Sequence, residues 1–122
     1  MLTHRIDGEG PPLLLLNGGL MSIGTWTPFA DALSSRFRVI RCDFRGQLLT
    51  PGPPFADSWL SHAADVVELL DVLAIERADI CGVSFGAEVA MHVAALHPSR
   101  VSRLTVISAT DYTTEAMRAD AA

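Results

Sequence analysis

The sequence predicts an α/β fold in which a mostly parallel sheet is flanked by helices. Four short apolar runs alternate with longer segments whose apolar residues recur at helical spacing. The short runs lack polar alternation and end at turn residues, a pattern typical of strands buried on both faces. Alternating strands and helices indicate parallel strands joined by right-handed crossovers. We therefore expect about four to five strands and three to four helices.

The bounds of these elements follow from the apolar patterns and from the residues that interrupt them. The predicted strands are Leu13–Leu16, Arg38–Cys42, Ala78–Cys81 and Leu104–Ser108. The predicted helices are Thr25–Phe37, Ala56–Ala74 and Phe85–His97, with a further helix start after residue 108 that runs to Ala122. Pro98 ends the third helix, because proline disfavours helical backbone in the residue before it. An edge segment is expected around His4.

The composition predicts a globular protein that binds neither nucleic acid nor membrane. Apolar residues make up 49% of the 122 residues, and the formal net charge is −5 without a basic stripe. No apolar run has the length of a signal-peptide core or a transmembrane helix, so we expect a cytoplasmic protein. The only cysteines, Cys42 and Cys81, belong to no CxxC pair or Cys/His cluster. We expect free thiols, no disulfide and no metal site.

The segment Gly82–Gly86, GVSFG, places Ser84 between two glycines where a predicted strand meets a predicted helix. So tight a turn requires a strained serine backbone, and a side chain at either glycine would collide with the neighbouring strand or helix. The hydroxyl would lie at the carboxyl end of the sheet, where open α/β sheets bind ligands. The N–H of Phe85 lies at a helix amino terminus, which favours developing negative charge. The segment therefore predicts a nucleophile elbow.

An acyl-transfer serine needs a second N–H donor for the oxyanion. Its natural source is the loop Asn17–Met21 after the first predicted strand, because glycines let the backbone turn its N–H groups toward a substrate oxygen. A plain glycine turn is the alternative. A phosphate-binding loop is excluded, because no lysine follows.

Three motifs in this order resemble the amino-terminal half of an α/β-hydrolase. They are LLLLNGGLMS, FRVIRCDFRGQLLT and ADICGVSFGAEVAMHVAALHPSRV, and the resemblance covers about residues 8–110. It implies that Ser84 is the nucleophile and that the N–H groups of Phe85 and Gly19 form the oxyanion hole, with Leu20 the weaker candidate for the second donor. It also implies structural roles for Asp43 and Arg45. No metal or organic cofactor is implied.

Three positions depart from the family pattern. Asn17 stands where histidine is usual, although asparagine can also brace the loop by hydrogen bonding. Gln47-Leu48-Leu49 replaces a glycine-containing turn, so we expect that loop to be rebuilt. Ala87 replaces a common second glycine after the elbow, which is a mild change.

The family order of serine, acid and histidine places both partners of Ser84 after it. His92 and His97 lie on the helix behind the serine, and His62 is expected on a solvated helix face. Asp111 is a candidate triad acid, but a helix N-cap explains it at least as well. We therefore expect residues 1–122 to form a single incomplete hydrolase core without the acid- and histidine-bearing strands.

Without a histidine base, these residues alone should have negligible hydrolase activity. Met21, Trp26 and Phe85, with Leu20 in the same loop as Met21, are candidates for an apolar acyl pocket. For Trp26 a place in the helix core is the better explanation, because Phe29 and Ala30 continue the apolar stripe. The expected substrate is a small acyl compound such as an ester or lactone. Acyl transfer, cofactor-free haloperoxidase activity and a non-catalytic binding module remain alternatives. In the last case, the final predicted strand offers an unpaired edge for self-association.

Overall fold

The computed structural model describes residues 1–47 and 59–109. Within them the chain forms five strands and three α-helices, which confirms the predicted α/β class. The strands are β1 (His4–Asp7), β2 (Pro12–Leu16), β3 (Arg38–Cys42), β4 (Ala78–Val83) and β5 (Val101–Ile107). The helices are α1 (Thr27–Leu33), α2 (Trp59–Val72) and α3 (Phe85–Leu96), and short 3₁₀ helices span Ile23–Trp26 and Pro98–Arg100.

The strands form one sheet in the order β1-β3-β2-β4-β5. β1 runs antiparallel to β3, and every other pair is parallel. Leu16 at the end of β2 is paired with Cys42 in β3 and with Gly82 in β4. Because these strands end at one level, the three segments that follow them meet at one edge of the sheet.

The observed bounds differ from the predicted ones at a few element ends. β3 has the predicted bounds, whereas β5 begins at Val101, three residues before the predicted start. α1 is shorter than predicted, because the residues before it form a 3₁₀ helix and Ser34 caps its end. α2 ends at Val72, and Ala74 just beyond it has the positive φ of 56° that is common after a helix. The predicted start of α2 at residue 56 and the helix predicted after residue 108 lie outside the described residues.

The two faces of the sheet are covered unequally. Alternate residues of β2 point to opposite faces, so Leu14 and Leu16 pack in the larger apolar cluster with α2 and α3. Leu15 packs in a smaller cluster with Trp26 and with Ala30 of α1. Two described helices therefore cover one face and a single two-turn helix covers the other. None of the described helices is both long and apolar enough to cross a membrane.

The prediction that all strands are buried on both faces is wrong for β5, in which only Val101 is buried. The strand lies at the edge of the described sheet, and α1 is too short to reach across to it. An apolar groove of about 610 Å³ remains on the α1 side, bordered by α1, β2, β4 and β5. Leu104, Val106 and Ile107 are exposed.

A buried arginine ties β1 to the start of α1. The side chain of Arg41 is 2% exposed, and its Nη2 lies 2.6 Å from Oδ2 of Asp7. Its Nη1 donates hydrogen bonds to the carbonyl of Ile23 at 3.0 Å and to Oγ1 of Thr27 at 3.2 Å. The hydrogen bond from Arg41 lowers the pKa of the Asp7 carboxyl below its usual value, and the charge of Arg5 lowers it further.

We predict that Asp7→Asn lowers the free energy of unfolding by about 1–3 kcal/mol at pH 7, because it leaves the buried guanidinium of Arg41 without its carboxylate. A carboxyl whose folded-state pKa is depressed stabilises the fold above its unfolded pKa of about 3.9, and this contribution is lost as the pH falls through the folded-state pKa. The gap between wild type and variant should therefore narrow below about pH 4.

Urea unfolding from pH 7 to pH 3 measures this gap. Asp31→Asn, at an exposed position of α1, is the control and should have little effect at any pH. An Asp7→Asn deficit of the same size at both ends of the pH range would contradict the assigned role of the ion pair.

Candidate active site

Ser84 joins β4 to α3 in a sharp turn. Its backbone has φ 52° and ψ −110°, a conformation that is strained for any residue with a side chain, and the residue is exposed. Its N–H donates to the carbonyl of Ile107 at 2.8 Å. Its own carbonyl accepts the N–H groups of Ala87 at 3.0 Å and Glu88 at 3.1 Å. Hydrogen bonds to β5 and α3 therefore hold the strained backbone and leave the side chain at the surface.

The two glycines of this turn are required by close backbone contacts, as the sequence predicted. A Cβ on Gly82 would overlap the carbonyl of Gly86 and lie 2.7 Å from the nitrogen of Ala87. A Cβ on Gly86 would overlap the carbonyl oxygen of Leu16 and lie 2.6 Å from that of Asn17. The Gly82–Gly86 turn therefore packs directly on the end of β2, where the loop Asn17–Met21 begins.

The side chain of Phe85 anchors the start of α3. Its ring centroid lies 5.2 Å from that of Phe44, 5.1 Å from that of His62 and 4.9 Å from that of Trp59. The ring therefore packs among aromatic groups on the α2 side of the sheet and does not border the apolar groove. Its backbone N–H belongs to the first turn of α3, where the helix dipole favours an anion.

The histidines in the described residues are engaged away from Ser84. The expectation that His62 is solvated is wrong: it is 1% exposed, because α2 turns that side of the helix toward the rings of Phe44 and Phe85. His92 stacks on Trp59 with ring centroids 5.7 Å apart. His97 is the C-cap of α3, about 20 Å along the helix axis from Ser84.

His4 lies on the edge strand β1, and Asp111 lies outside the described residues. The ring of His4 contacts the carbonyl of Leu2 through Nδ1 at 3.1 Å, on the edge strand β1. Asp111 lies outside the described residues, so its choice between triad acid and helix N-cap stays a prediction.

Asn17 connects the ends of β2 and β3 through its buried side chain. Its Nδ2 donates to the carbonyl of Cys42 at 2.9 Å and to Oδ1 of Asp43 at 3.0 Å. Its Oδ1 accepts the indole N–H of Trp26 at 2.7 Å. Asp43 Oδ1 also accepts the N–H of Ile23 at 2.9 Å. This bond fixes the chain just after the loop Asn17–Met21. Asparagine thus braces the loop at the position where the family pattern has histidine.

Gln47 was not among the predicted site residues, yet it contacts the same loop. It is 6% exposed, and its Oε1 accepts the N–H of Phe44 at 2.9 Å. The same oxygen lies 3.1 Å from Nδ2 of Asn17, whose two hydrogens are shared among this oxygen, the Cys42 carbonyl and Asp43 Oδ1. Its Nε2 lies 3.1 Å from the carbonyl oxygen of Gly18 and 3.4 Å from that of Gly19. Asn17 departs from the family pattern, and it contacts the first residue of the segment Gln47-Leu48-Leu49, which departs from that pattern as well. These two departures are the sequence signal that could have indicated a role for Gln47.

The pocket candidates separate into one exposed and two groove-lining residues. Leu20 is fully exposed and does not border the groove, whereas Met21 and Trp26 do. Trp26 is also 5% exposed and packed in the smaller core cluster. It is therefore both a core residue and part of the groove wall. The groove reaches the flanks of the turn at Val83 and Ile107.

The remaining polar groups of the site are structural or inert at neutral pH. Arg45 Nη2 lies 2.7 Å from Oδ1 of Asp65, which ties the turn after β3 to α2. Burial, aided by the charge of Asp43, raises the pKa of the Cys42 thiol to about 12, and burial also raises the pKa of the Cys81 thiol. Neither thiol is a nucleophile near pH 7. The described residues contain no cluster of three or more His, Cys, Asp or Glu residues that could hold a metal ion.

Comparisons with known proteins agree with this geometry. A family model described as alpha/beta hydrolase fold matches residues 11–121. The putative carbamate hydrolase RutD of Agrobacterium fabrum is 33% identical over 106 residues, which cover 86% of this chain and 41% of that protein.

Two solved structures are similar over most of the chain. A hydrolase from Pseudomonas aeruginosa has a TM-score of 0.91 and 33% identity, over 98% of this chain and 46% of its own. The enol-lactonase from Burkholderia xenovorans has a TM-score of 0.80 and 36% identity, over 84% of this chain and 41% of its own. The chain thus spans less than half the length of each of these proteins.

We predict that Gly86→Ala lowers the free energy of unfolding by about 1–3 kcal/mol, because the new methyl group must push the turn away from β2. Gly24→Ala is the matched control, since the nearest atom to its Cβ is Ser22 Oγ at 3.7 Å. Its stability should stay unchanged or rise by up to about 1 kcal/mol. Denaturant unfolding of both variants measures the difference, and equal effects would show that the contact with β2 is not tight.

Proposed function

Because the chain belongs to the α/β-hydrolase fold family, we propose that it carries the nucleophile of a serine hydrolase that acts on esters, lactones or related acyl compounds. One observation carries the proposal: an exposed Ser84, strained at φ 52°, lies between two glycines, of which Gly86 packs against Leu16 and Asn17, where the loop Asn17–Met21 begins. A strained serine between a strand and a helix is the arrangement that exposes a nucleophile in α/β hydrolases.

In the proposed reaction, Ser84 Oγ attacks the substrate carbonyl carbon and transfers its proton to a general base. The oxyanion accepts hydrogen bonds from the N–H groups of Gly19 and Phe85, and the dipole of α3 favours its charge. Collapse of the intermediate releases the leaving group, which takes up the proton, and leaves an acyl-enzyme on Ser84. Water then attacks that ester and regenerates the serine. The base and its orienting acid come from outside the described residues.

The substrate class is supported by chemistry that the similar proteins share. Carbamates and lactones, the groups named for two of them, both present a carbonyl carbon bonded to a leaving heteroatom. One nucleophile with one oxyanion site serves both. The groove beside Val83 and Ile107 offers an apolar surface next to the serine for the acyl part of such a substrate.

We predict that a fluorophosphonate probe labels Ser84 slowly but on the order of 100-fold faster than the other serines that the structure describes, because among them only Ser84 lies beside the proposed oxyanion donors. Intact-mass and peptide-mapping mass spectrometry follow the reaction. In Ser84→Ala, the fast phase of labelling should be absent. Ser35→Ala, at an exposed serine on the turn between α1 and β3, should leave the labelling rate unchanged.

Labelling spread evenly over the serines would contradict the role of Ser84 as nucleophile. Turnover of a nitrophenyl ester should be negligible in the absence of the base. Ser84-dependent turnover at roughly 1 s⁻¹ or faster would show instead that these 122 residues contain their own base.

A second candidate function, self-association, is supported by the edge strand. β5 is seven residues long and contains no proline, and Leu104, Val106 and Ile107 are exposed on it. Its outer edge pairs with no other described strand. Unpaired apolar edges of this kind pair with further strands, including those of a second copy.

We predict that the chain forms dimers whose population rises with concentration, and that Val106→Lys weakens the association at least about tenfold, because a lysine on an edge opposes strand pairing. Val72→Lys is the control, since Val72 is also an exposed valine, 57% against 39% for Val106, but lies at the end of α2. Sedimentation equilibrium measures the association constant. A wild-type chain that stays monomeric at high concentration, or equal losses in both variants, would contradict the edge as the interface.

A further inference from the structure

We propose that Gln47 is a positioning residue that sets the direction of the Gly19 and Leu20 N–H groups at the predicted oxyanion site. The inference rests on the proposed function of Ser84. It concerns a residue that does not touch the substrate and acts through the backbone of the loop Asn17–Met21.

The orientation of the Gln47 amide is fixed by its partners. The N–H of Phe44 can only donate, so the atom facing it at 2.9 Å is the oxygen Oε1. The carbonyl oxygens of Gly18 and Gly19 can only accept, so the atom facing them is Nε2. If the amide were flipped, its NH2 group would face the N–H of Phe44 and its oxygen would face the carbonyl oxygens of Gly18 and Gly19. Gln47 therefore uses both its acceptor and its donor groups inside the protein.

The two bonds from Nε2 act on consecutive peptide groups. The bond to Gly18 is the stronger at 3.1 Å, and the contact with Gly19 is longer at 3.4 Å. The carbonyl of one residue and the N–H of the next point in opposite directions in a trans peptide, and the described chain contains no cis peptide bond. When both carbonyls face Gln47, the N–H groups of Gly19 and Leu20 face away from it. Successive N–H groups on one side form a concave anion site.

The sheet order places Ser84 on the side to which these N–H groups point. β2 lies between β3 and β4, so the loop after β2 lies between Gln47, which follows β3, and Ser84, which follows β4. On the β4 side, Gly86 lies against the carbonyls of Leu16 and Asn17, which brings the turn that carries Ser84 close to the start of this loop. Carbonyls held toward β3 therefore leave the N–H groups directed toward the nucleophile.

The pairing with Asn17 makes this arrangement specific. Oε1 of Gln47 accepts from Nδ2 of Asn17 at 3.1 Å, and Asn17 is fixed in turn by Asp43 and Trp26. The loop is thus held at its first residue by Asn17 and at the following two carbonyls by Gln47. A side chain without the amide at position 47 would remove this donor from both carbonyls, and the Gly18 carbonyl would keep the N–H of Met21.

The test compares Gln47→Met, which keeps the length and removes the amide, with Arg45→Met as the matched control. Arg45 lies in the same turn but contacts Asp65 of α2. In ¹⁵N-labelled protein, Gln47→Met should shift the amide resonances of Gly19 and Leu20 far more than those of β2. It should also speed hydrogen exchange of the Met21 amide, which bonds the Gly18 carbonyl at 3.1 Å, at least about tenfold. Arg45→Met should do neither.

The second readout is the fluorophosphonate labelling rate of Ser84. Gln47→Met should lower the maximal rate on the order of 100-fold, the effect of losing an oxyanion donor, and leave the half-saturating probe concentration unchanged. Arg45→Met should stay within about twofold of wild type. Unshifted Gly19 and Leu20 resonances, or equal rate losses in both variants, would overturn the positioning role. If Ser84 of the wild-type chain does not react with the probe, the proposed role of Ser84 as nucleophile is refuted. The role of Gln47 is then decided by the amide resonances of Gly19 and Leu20, which do not depend on the reactivity of Ser84.

Discussion

The candidate site depends on one contact, the approach of Gly86 to the backbone carbonyls of Leu16 and Asn17. This contact places the first turn of α3 directly against the end of β2, so that Ser84 and the loop Asn17–Met21 share one edge of the sheet. It works only without a side chain at position 86. The strained backbone of Ser84 is held from both sides by β5 and α3, and those bonds offset its conformational cost.

A buried polar network supports the other side of the same loop. The amide of Asn17 contacts Asp43 and Gln47 after β3, and it accepts the indole N–H of Trp26 before α1. Each of these groups is buried and has no access to water, so the hydrogen bonds within the network must satisfy its donors and acceptors. Loss of one partner would therefore leave another buried polar group unsatisfied. The loop is therefore fixed by α3 on one side and by this network on the other, as the proposed oxyanion site would require.

The sheet is covered more completely on one face than on the other. α2 and α3 bury Leu14, Leu16 and their neighbours, and Phe85 extends that packing to the rings beside Ser84. On the opposite face α1 covers only the β2 and β3 side, which leaves the groove and the groove-facing residues of β5 exposed among the described residues. The groove reaches the turn of the candidate nucleophile at Val83 and Ile107, so an exposed apolar surface lies beside Ser84.

The sequence by itself determined the order of strands and helices, the family and the Gly-x-Ser-x-Gly turn, because adjacent residues encode apolar periodicity and the need for glycine. Tertiary structure decided what depends on distant segments. The contact between Asn17 and Gln47 joins residues 30 apart and requires the parallel register of β2 with β3. The burial of His62 and the exposure of β5 follow from which faces α2, α3 and α1 cover. The apolar periodicity within one helix or strand does not specify which elements pack against it. These contacts and exposures are therefore set by the arrangement of the strands and helices in the folded chain.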